Sequence, residues 1–187
     1  MWNEQLNQEV PSGWCVGTVR DCVDRIATGL NPRDNFTLGQ GSIKYLTVKN
    51  LTSSGAIDFS NCDTVNESAR SIIHRRSDVR PGDILFASIA PLGRCHLIQE
   101  EPKGWDINES IFSVRPNLDT TSAELLYAYF TSEAFVKGAT YSSTGSVFKG
   151  IRINTLLDSQ MLIPPLSISR AFSDNVRRLL LQTNDAV

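Results

Sequence analysis

One polar segment holds the side chains best suited to contact a nucleic acid. Residues 141–153 read Tyr-Ser-Ser-Thr-Gly-Ser-Val-Phe-Lys-Gly-Ile-Arg-Ile and contain two cations and no acid. Hydroxyl, ammonium and guanidinium groups donate hydrogen bonds to phosphate oxygens and base edges, and Gly145 and Gly150 let the backbone approach a ligand closely. A flexible connector is the alternative interpretation. The candidate contacts in this segment are Ser143, Thr144, Ser146, Lys149 and Arg152.

Basic residues elsewhere extend the set of candidate contacts. Residues 39–57 and 84–99 carry cations and no acid, and a group of arginines lies beside His74. Locally basic, Gly-rich surfaces bind phosphates even when the whole molecule is slightly acidic. The alternatives are a core position for the tyrosine and solvated charge for the cations. The further DNA-contact candidates are Lys44, Tyr45, Lys49, Arg75, Arg76 and Arg94.

The sequence lacks the spacing of the common catalytic and metal motifs. It contains two histidines, and its four cysteines include no C-x-x-C pair, which disfavours a zinc site and a compact disulfide framework. It has no G-x-S-x-G nucleophile motif, and residues 143–149 lack the G-x-x-x-x-G-K-[ST] spacing of a phosphate loop. We therefore expect no catalytic centre, no metal site and no cofactor in this chain.

Composition and charge are those of an ordinary folded protein. The 187 residues are 41% hydrophobic and 20% charged, with a formal net charge of −2, which argues against a uniformly basic nucleic-acid binder. The N-terminal residues lack a signal-peptide pattern, and no apolar run is long enough to cross a bilayer. We expect a cytoplasmic protein with one domain over residues 1–165 and a helix over residues 166–187.

Short apolar runs predict the strands that must position the candidate contacts. Residues 43–48 alternate and are rich in β-formers, and residues 79–88 form a turn that feeds a buried run. Residues 95–98 are the expected hairpin partner of that run, and residues 107–114 form a further strand. Together with the helices below, these strands predict an α+β fold with a mixed β-sheet, short helices and a C-terminal spacer helix.

Capping residues and helical spacing predict the helices. Ser122 and Ser132 are candidate N-caps, and a short helix is expected between Thr18 and Gly29. After Pro164-Pro165 an apolar stripe recurs at helical spacing on a helix that projects beyond one small domain. The stripe is the candidate dimerisation surface, and it consists of Phe172, Val176, Leu179 and Leu180.

An ordered series of short motifs resembles one family, the specificity subunits of type I restriction-modification systems. The resemblance extends over most of the chain, and its order is more specific than any single motif. Ser167-Ile-Ser169 departs from it, since the family usually has a Glu-Gln pair before the last helix. The motifs are Pro11-Ser-Gly-Trp14, Val19-Arg-Asp21, Ile43-Lys-Tyr-Leu46, Val79-Arg-Pro-Gly-Asp-Ile-Leu85, Ser88-Ile-Ala-Pro-Leu-Gly-Arg94, Asn108-Glu-Ser-Ile111, Val114-Arg-Pro116, the helix with Leu125 and Tyr127 to Phe130, Thr144-Gly145 and Ile163-Pro-Pro-Leu166.

The resemblance implies a non-catalytic subunit that reads one half of a bipartite double-stranded DNA target. Methyltransferase and restriction subunits would be its partners and would supply the chemistry with S-adenosylmethionine, ATP and Mg²⁺. Family members usually carry two recognition domains, so one domain implies a half-subunit or a truncated chain, with a possible homodimer through the C-terminal helix. The alternative is a protein-interaction module that docks a methyltransferase or an inhibitor and binds no DNA.

Overall fold

Two larger β-sheets and the helices packed against them confirm the predicted α+β class. The computed structural model describes residues 2–3, 8–143 and 150–184. The strands are β1 (Trp2–Asn3), β2 (Gln8–Glu9), β3 (Cys15–Thr18), β4 (Val23–Thr28), β5 (Ile43–Leu46), β6 (Asp63–Val65), β7 (Ile84–Ala87), β8 (Cys95–Leu97), β9 (Trp105–Ile107), β10 (Ile111–Pro116) and β11 (Gln160–Ile163). The α-helices are α1 (Glu67–Ser77), α2 (Ala123–Thr131), α3 (Glu133–Ser143), α4 (Ile153–Leu157) and α5 (Leu166–Asn184), and 3₁₀ helices span Val19–Cys22 and Val48–Asn50.

Strand β10 lies inside a four-stranded antiparallel sheet with the order β4-β10-β7-β8. Its Phe112 pairs with Thr28 of β4 on one side and with Phe86 of β7 on the other. Successive side chains of a strand point to opposite faces, so Phe86 enters one apolar core and Leu85 enters a second. The sheet therefore separates two cores, and the predicted hairpin of β7 and β8 is confirmed.

The smaller sheet makes the architecture mixed, as predicted. Its central strand β5 pairs antiparallel with β6 and parallel with β9. Ile43 and Tyr45 project from the same face of β5 and pack with Ile73 of α1. The opposite face carries Leu46, which joins the core beneath the four-stranded sheet. Helix α1 is thus fixed on one side of the smaller sheet, and the larger sheet lies on the other.

Aromatic rings fill the core between the four-stranded sheet and helices α2 and α3. The ring of Phe86 lies 5.4 Å from that of Phe130 and 6.0 Å from that of Phe135, both in edge-on geometry. Such pairs add about 0.5–1.5 kcal/mol beyond the burial of their area. Ser122 caps α2 as predicted, because its side chain accepts a hydrogen bond from Leu125 N.

Polar contacts attach the predicted C-terminal helix α5 to α2. Ser122 Oγ donates to the carbonyl of Ser169 at 3.2 Å, and Arg177 Nε donates to Glu124 Oε1 at 2.6 Å. On a neighbouring strip of the helix Ile168 is 44% exposed, while Phe172 is half-buried. No helix in the described part of the chain has the length and apolar character needed to cross a membrane.

Three elements differ from the sequence predictions. The helix expected after Thr18 is a single 3₁₀ turn followed by β4, since pairing with β10 extends the backbone from Val23. The strand predicted over residues 107–114 is interrupted by a turn between β9 and β10. In the predicted loop over residues 141–153, α3 continues to Ser143 and α4 begins at its last residue.

The turn between β9 and β10, residues 108–110, connects both sheets. Asn108 N donates to Leu46 O of β5, and Asn108 O accepts from Gly29 N at the end of β4. Ser110 O accepts from the backbone and the side chain of Ser88, which follows β7. A Cβ at Gly29 would lie 1.7 Å from the carbonyl oxygen of Ile107, so this contact requires glycine.

We predict that Gly29→Ala lowers the free energy of unfolding by about 2 kcal/mol, because the added methyl group must displace backbone. Gly138→Ala is the matched control, since a Cβ there meets no atom within 4 Å in helix α3. The control should gain about 0.5–1 kcal/mol from lower backbone entropy in the unfolded chain. Urea unfolding followed by circular dichroism measures both. Equal stability of the two variants would contradict the tight contact at Gly29.

Candidate nucleic-acid interface

An open concavity of about 680 Å³ lies where β7 and β10 meet the turn of residues 108–110. Its lining includes Ser88 and Ile89 after β7, and Glu109 and Ser110 from the turn. Residues 151–155 complete it, and Phe112 contributes aromatic surface. The concavity therefore offers hydrogen-bonding side chains, which are the groups that contact base edges.

Backbone hydrogen bonds hold the lining of this concavity in place. Ile151 N donates to Ser88 O at 2.8 Å, and Gly150 forms an isolated β-bridge with Ile89. Ser110 N in turn donates to Asn108 Oδ1 at 3.0 Å. The side chains are thus carried by strand ends and hydrogen-bonded turns, which position a binding group more accurately than an unsupported loop does.

The available chemistry is hydrogen bonding and charge. Arg152, Asn154 and Thr155 are exposed on one part of the lining, and Glu109 is exposed on another. Within the described ranges there is no group of three His, Cys, Asp or Glu residues that could hold a metal ion. Arginine and asparagine donate to phosphates and base edges, and a carboxylate accepts from amino groups. This arrangement is suited to binding phosphates and base edges through hydrogen bonds and charge.

Ion pairs divide the cations of the chain into two groups. Arg115 is the clearest structural cation, because its guanidinium donates to both carboxylate oxygens of the buried Asp83 at 2.8 and 2.9 Å. Hydrogen bonding to Asp83 raises the pKa of Arg115. The cations that form ion pairs are Arg20, Arg25, Arg80, Arg115, Lys137 and Arg177.

Six predicted DNA-contact cations lie in the described part of the chain, and none of them forms an ion pair with a described residue. They share this property with Arg33, Arg70, Lys103, Arg170 and Arg178, so it does not by itself identify a phosphate contact. A cation without a carboxylate partner can neutralise a phosphate without first breaking an internal contact. The six are Lys44, Lys49, Arg75, Arg76, Arg94 and Arg152.

Three of these cations are attached to the strand ends around the concavity. Arg152 lines it directly, and Arg94 O accepts from Ala87 N at the last residue of β7. Arg76 Nε lies 3.2 Å from Thr28 Oγ1, at the last residue of β4. The fold therefore places parts of three separate basic stretches next to one end of the four-stranded sheet.

A buried acid fixes the helix that carries Arg75 and Arg76. Asp106 is fully buried, and it accepts hydrogen bonds from Ser77 Oγ at 2.6 Å and pairs with His74 Nδ1 at 3.0 Å. Burial raises the pKa of Asp106, although the bonds from Ser77 and His74 act against that shift. These contacts hold the last turn of α1 on β9 and leave both arginines exposed.

The structure corrects the assignment of Tyr45 as a DNA contact. Its side chain is 2% exposed, and its hydroxyl donates to the carbonyl of Leu30 at 2.6 Å. Burial raises its pKa, and the nearby carboxylate of Glu109 acts in the same direction. Tyr45 is therefore a core residue next to the concavity.

The two predicted lysine contacts lie elsewhere. Lys44 projects from the face of β5 opposite to Tyr45. Lys49 is exposed in a 3₁₀ helix, and it is not among the residues that line the concavity.

The described residues include the two ends of the predicted polar segment, residues 141–143 and 150–153. Thr144, Ser146 and Lys149 lie outside the described residues. Ser143 is the last residue of α3. The described residues that follow, Gly150 and Ile151, lie beside the concavity, because Gly150 bridges to Ile89 and Ile151 bonds to Ser88.

Sequence reasoning missed Glu109, Asn154 and Ser88 as candidate contacts. A single acid in a short turn has no periodicity, and Asn154 belongs to a helix of five residues. For Glu109 and Ser88 the one signal is position, since Asn108-Glu-Ser-Ile111 and Ser88-Ile-Ala-Pro-Leu-Gly-Arg94 are motifs of the family resemblance, and for Asn154 the sequence carries none. Only the folded structure brings these motifs to one concavity.

Comparison with solved structures identifies the fold. A chain of a type I restriction-modification system, solved in a study of complex assembly and conformational transition, superposes with a TM-score of 0.60 and 17% identity over 96% of this chain. The HsdS subunit from Thermoanaerobacter tengcongensis gives 0.59 and 17% over the same share. The type I S subunit from M. genitalium gives 0.50 and 14% over 83% of this chain.

These neighbours confirm an S-subunit-like fold. The chain spans 42%, 41% and 36% of the three neighbouring chains, so it corresponds to less than half of each. No family model and no curated protein matches the sequence.

Proposed function

We propose that this chain is a non-catalytic DNA-recognition module of a type I restriction-modification specificity subunit and reads one half of a bipartite target. The observation that carries the proposal is the S-subunit-like fold over 96% of the chain. The free cations and the polar concavity support it, because they supply contacts to phosphates and to base edges.

In this proposal the chain contributes binding and orientation. Arg76 and Arg94 would contact phosphates and set the register of the domain on the duplex. Side chains of the concavity would then meet the base edges. Adenine methylation with S-adenosylmethionine, and translocation and cleavage with ATP and Mg²⁺, would belong to methyltransferase and restriction subunits bound in the cytoplasm of the source cell.

A second candidate is a protein-interaction module that binds a methyltransferase subunit or an inhibitor. A groove of about 730 Å³ between α2, α5 and the sheet favours it. Asp119, Asp174 and Arg170 line this groove and form no ion pair with any described residue. The salt dependence of DNA binding distinguishes the two functions, because a module that binds only protein would not show the steep slope that counterion release produces.

We further propose that α5 pairs with a second copy of the chain. Ile168, Phe172 and Val176 form a strip at i, i+4 and i+8 whose first member is 44% exposed. Leu179 and Leu180 continue the strip along the sequence. Pairing through a two-fold axis would bury the strip and present two identical readers, so the resulting target would be symmetric and interrupted.

Arg76→Ala with Arg94→Ala should weaken binding to duplex DNA and flatten its salt dependence, with roughly 0.9 lost from the slope for each phosphate contact. The matched control is Arg20→Ala with Lys137→Ala, which changes the net charge equally but removes cations that already pair with Asp158 and Glu133. Filter retention from low to moderate salt measures both. Equal slopes for the two double variants would contradict the interface, and no retention of the wild type at low salt would contradict the function.

Ile168→Asp with Val176→Asp should shift the sedimentation coefficient of the chain from dimer to monomer at micromolar concentration, because it places charge in the proposed seam. Ser167→Asp with Asn175→Asp adds the same charge at the same spacing on exposed positions and should leave the dimer intact. A wild type that sediments as a monomer throughout would contradict self-pairing.

A further inference from the structure

Among the described residues that line the concavity, Glu109 is the one acid and Arg152 is the one cation. It lines the concavity together with Arg152, and among the described residues it forms no ion pair. The side chain is exposed, so the fold does not depend on burying it. Neither Glu109 nor Arg152 is neutralised by the other. The Glu109 carboxylate lies within hydrogen-bonding reach of the Tyr45 hydroxyl, and because it is exposed and has several acceptor sites it can also accept from a ligand.

The backbone of Glu109 is held from both sides. Asn108 N donates to the carbonyl of Leu46 in β5, and its own carbonyl accepts from Gly29 N. The carbonyl of Ser110 accepts hydrogen bonds from the backbone N–H and the hydroxyl of Ser88. The buried hydroxyl of Tyr45 lies close enough to Glu109 for its carboxylate to raise the pKa of the phenol. The carboxylate is thus carried by a turn whose backbone is hydrogen-bonded on both sides of Glu109.

A carboxylate on a DNA-binding surface is repelled by phosphates and weakens general binding. Its one favourable contact is with a hydrogen-bond donor on the nucleic acid. In the major groove only the exocyclic amino groups of cytosine and adenine donate, and carboxylates accept from cytosine N4 in known recognition patterns. The charge that opposes non-specific binding would therefore favour one class of base at one position.

We propose that Glu109 is a specificity-determining residue that accepts a hydrogen bond from an exocyclic amino group, of cytosine or adenine, in the major groove. This inference rests on the proposed function, since it presumes that the concavity faces DNA. Arg152 complements Glu109 there, because its guanidinium donates where the carboxylate accepts. A G·C pair offers both partners, guanine O6 and N7 for the arginine and cytosine N4 for the carboxylate.

The experiment is selection from a randomised duplex library with the purified full chain, comparing the wild type, Glu109→Ala and Glu109→Gln. The control is Glu101→Gln, an equally charged change at an exposed acid in the loop between β8 and β9, away from the concavity. The wild type should enrich one base pair at one position, and whether that pair is G·C or A·T distinguishes cytosine from adenine as the donor. Circular dichroism establishes that each variant is folded.

Glu109→Ala should reduce that enrichment by roughly fivefold or more, which is the lower range of discrimination by a good base contact. Preferences at other positions should remain. Glu109→Gln should move the preference towards adenine, which an amide contacts through N6 and N7. Glu101→Gln should match the wild type.

Two results would overturn the inference. One is an enrichment profile that Glu109→Ala leaves unchanged, and the other is a wild type that retains DNA without preferring any base pair at any position. Both leave the proposed function standing. A wild type that retains no DNA at low salt would overturn the proposed function together with this inference.

Discussion

The three residues of the turn between β9 and β10 connect the parts of this molecule that recognition requires. Asn108 bonds to β5 and to the end of β4, and Ser110 bonds to the residue after β7. The four-stranded antiparallel sheet and the three-stranded mixed sheet are thereby joined by one hydrogen-bonded junction. Because Gly29 lies against it without space for a side chain, the junction has little freedom to move. These hydrogen bonds therefore fix the position of the concavity and of the Glu109 carboxylate that lines it.

Charge pairing explains how a chain with a net charge of −2 can present a basic surface. Near the turn before β7, the buried Asp83 forms an ion pair with Arg115, and the neighbouring Asp78 forms one with Arg80. Burial acts to raise the pKa of Asp78, but hydrogen bonds from Arg80 and Arg115 outweigh it and lower the pKa. These acids therefore form ion pairs with structural arginines, while Arg94 and Arg152 beside the concavity form no ion pair with a described residue. The distribution of charge, more than its sum, determines what the surface can bind.

The sequence predicted the elements whose signals are local. The hairpin of β7 and β8 follows from short apolar runs around turns, and the start of α2 follows from a capping serine. The segment after Thr18 was predicted wrongly as a helix because Val19, Val23 and Ile26 fit helical spacing. In the structure, an irregularity in pairing opposite Arg115 and Pro116 lets Val23 and Ile26 face the same core from a strand. The same limit applies to the candidate site. Tyr45 and Glu109 are neighbours in the structure, but the spacing of residues along the sequence does not predict contacts between different strands.

Amide hydrogen exchange of the full chain, with and without a short duplex at low salt, tests most directly whether the concavity is the DNA interface. The structure predicts added protection in peptides that contain residues 88–94, 108–111 and 150–155. The groove between α2 and α5 should be unchanged. Protection confined to that groove, or none in the three predicted segments while DNA is bound, would contradict the interface proposed here.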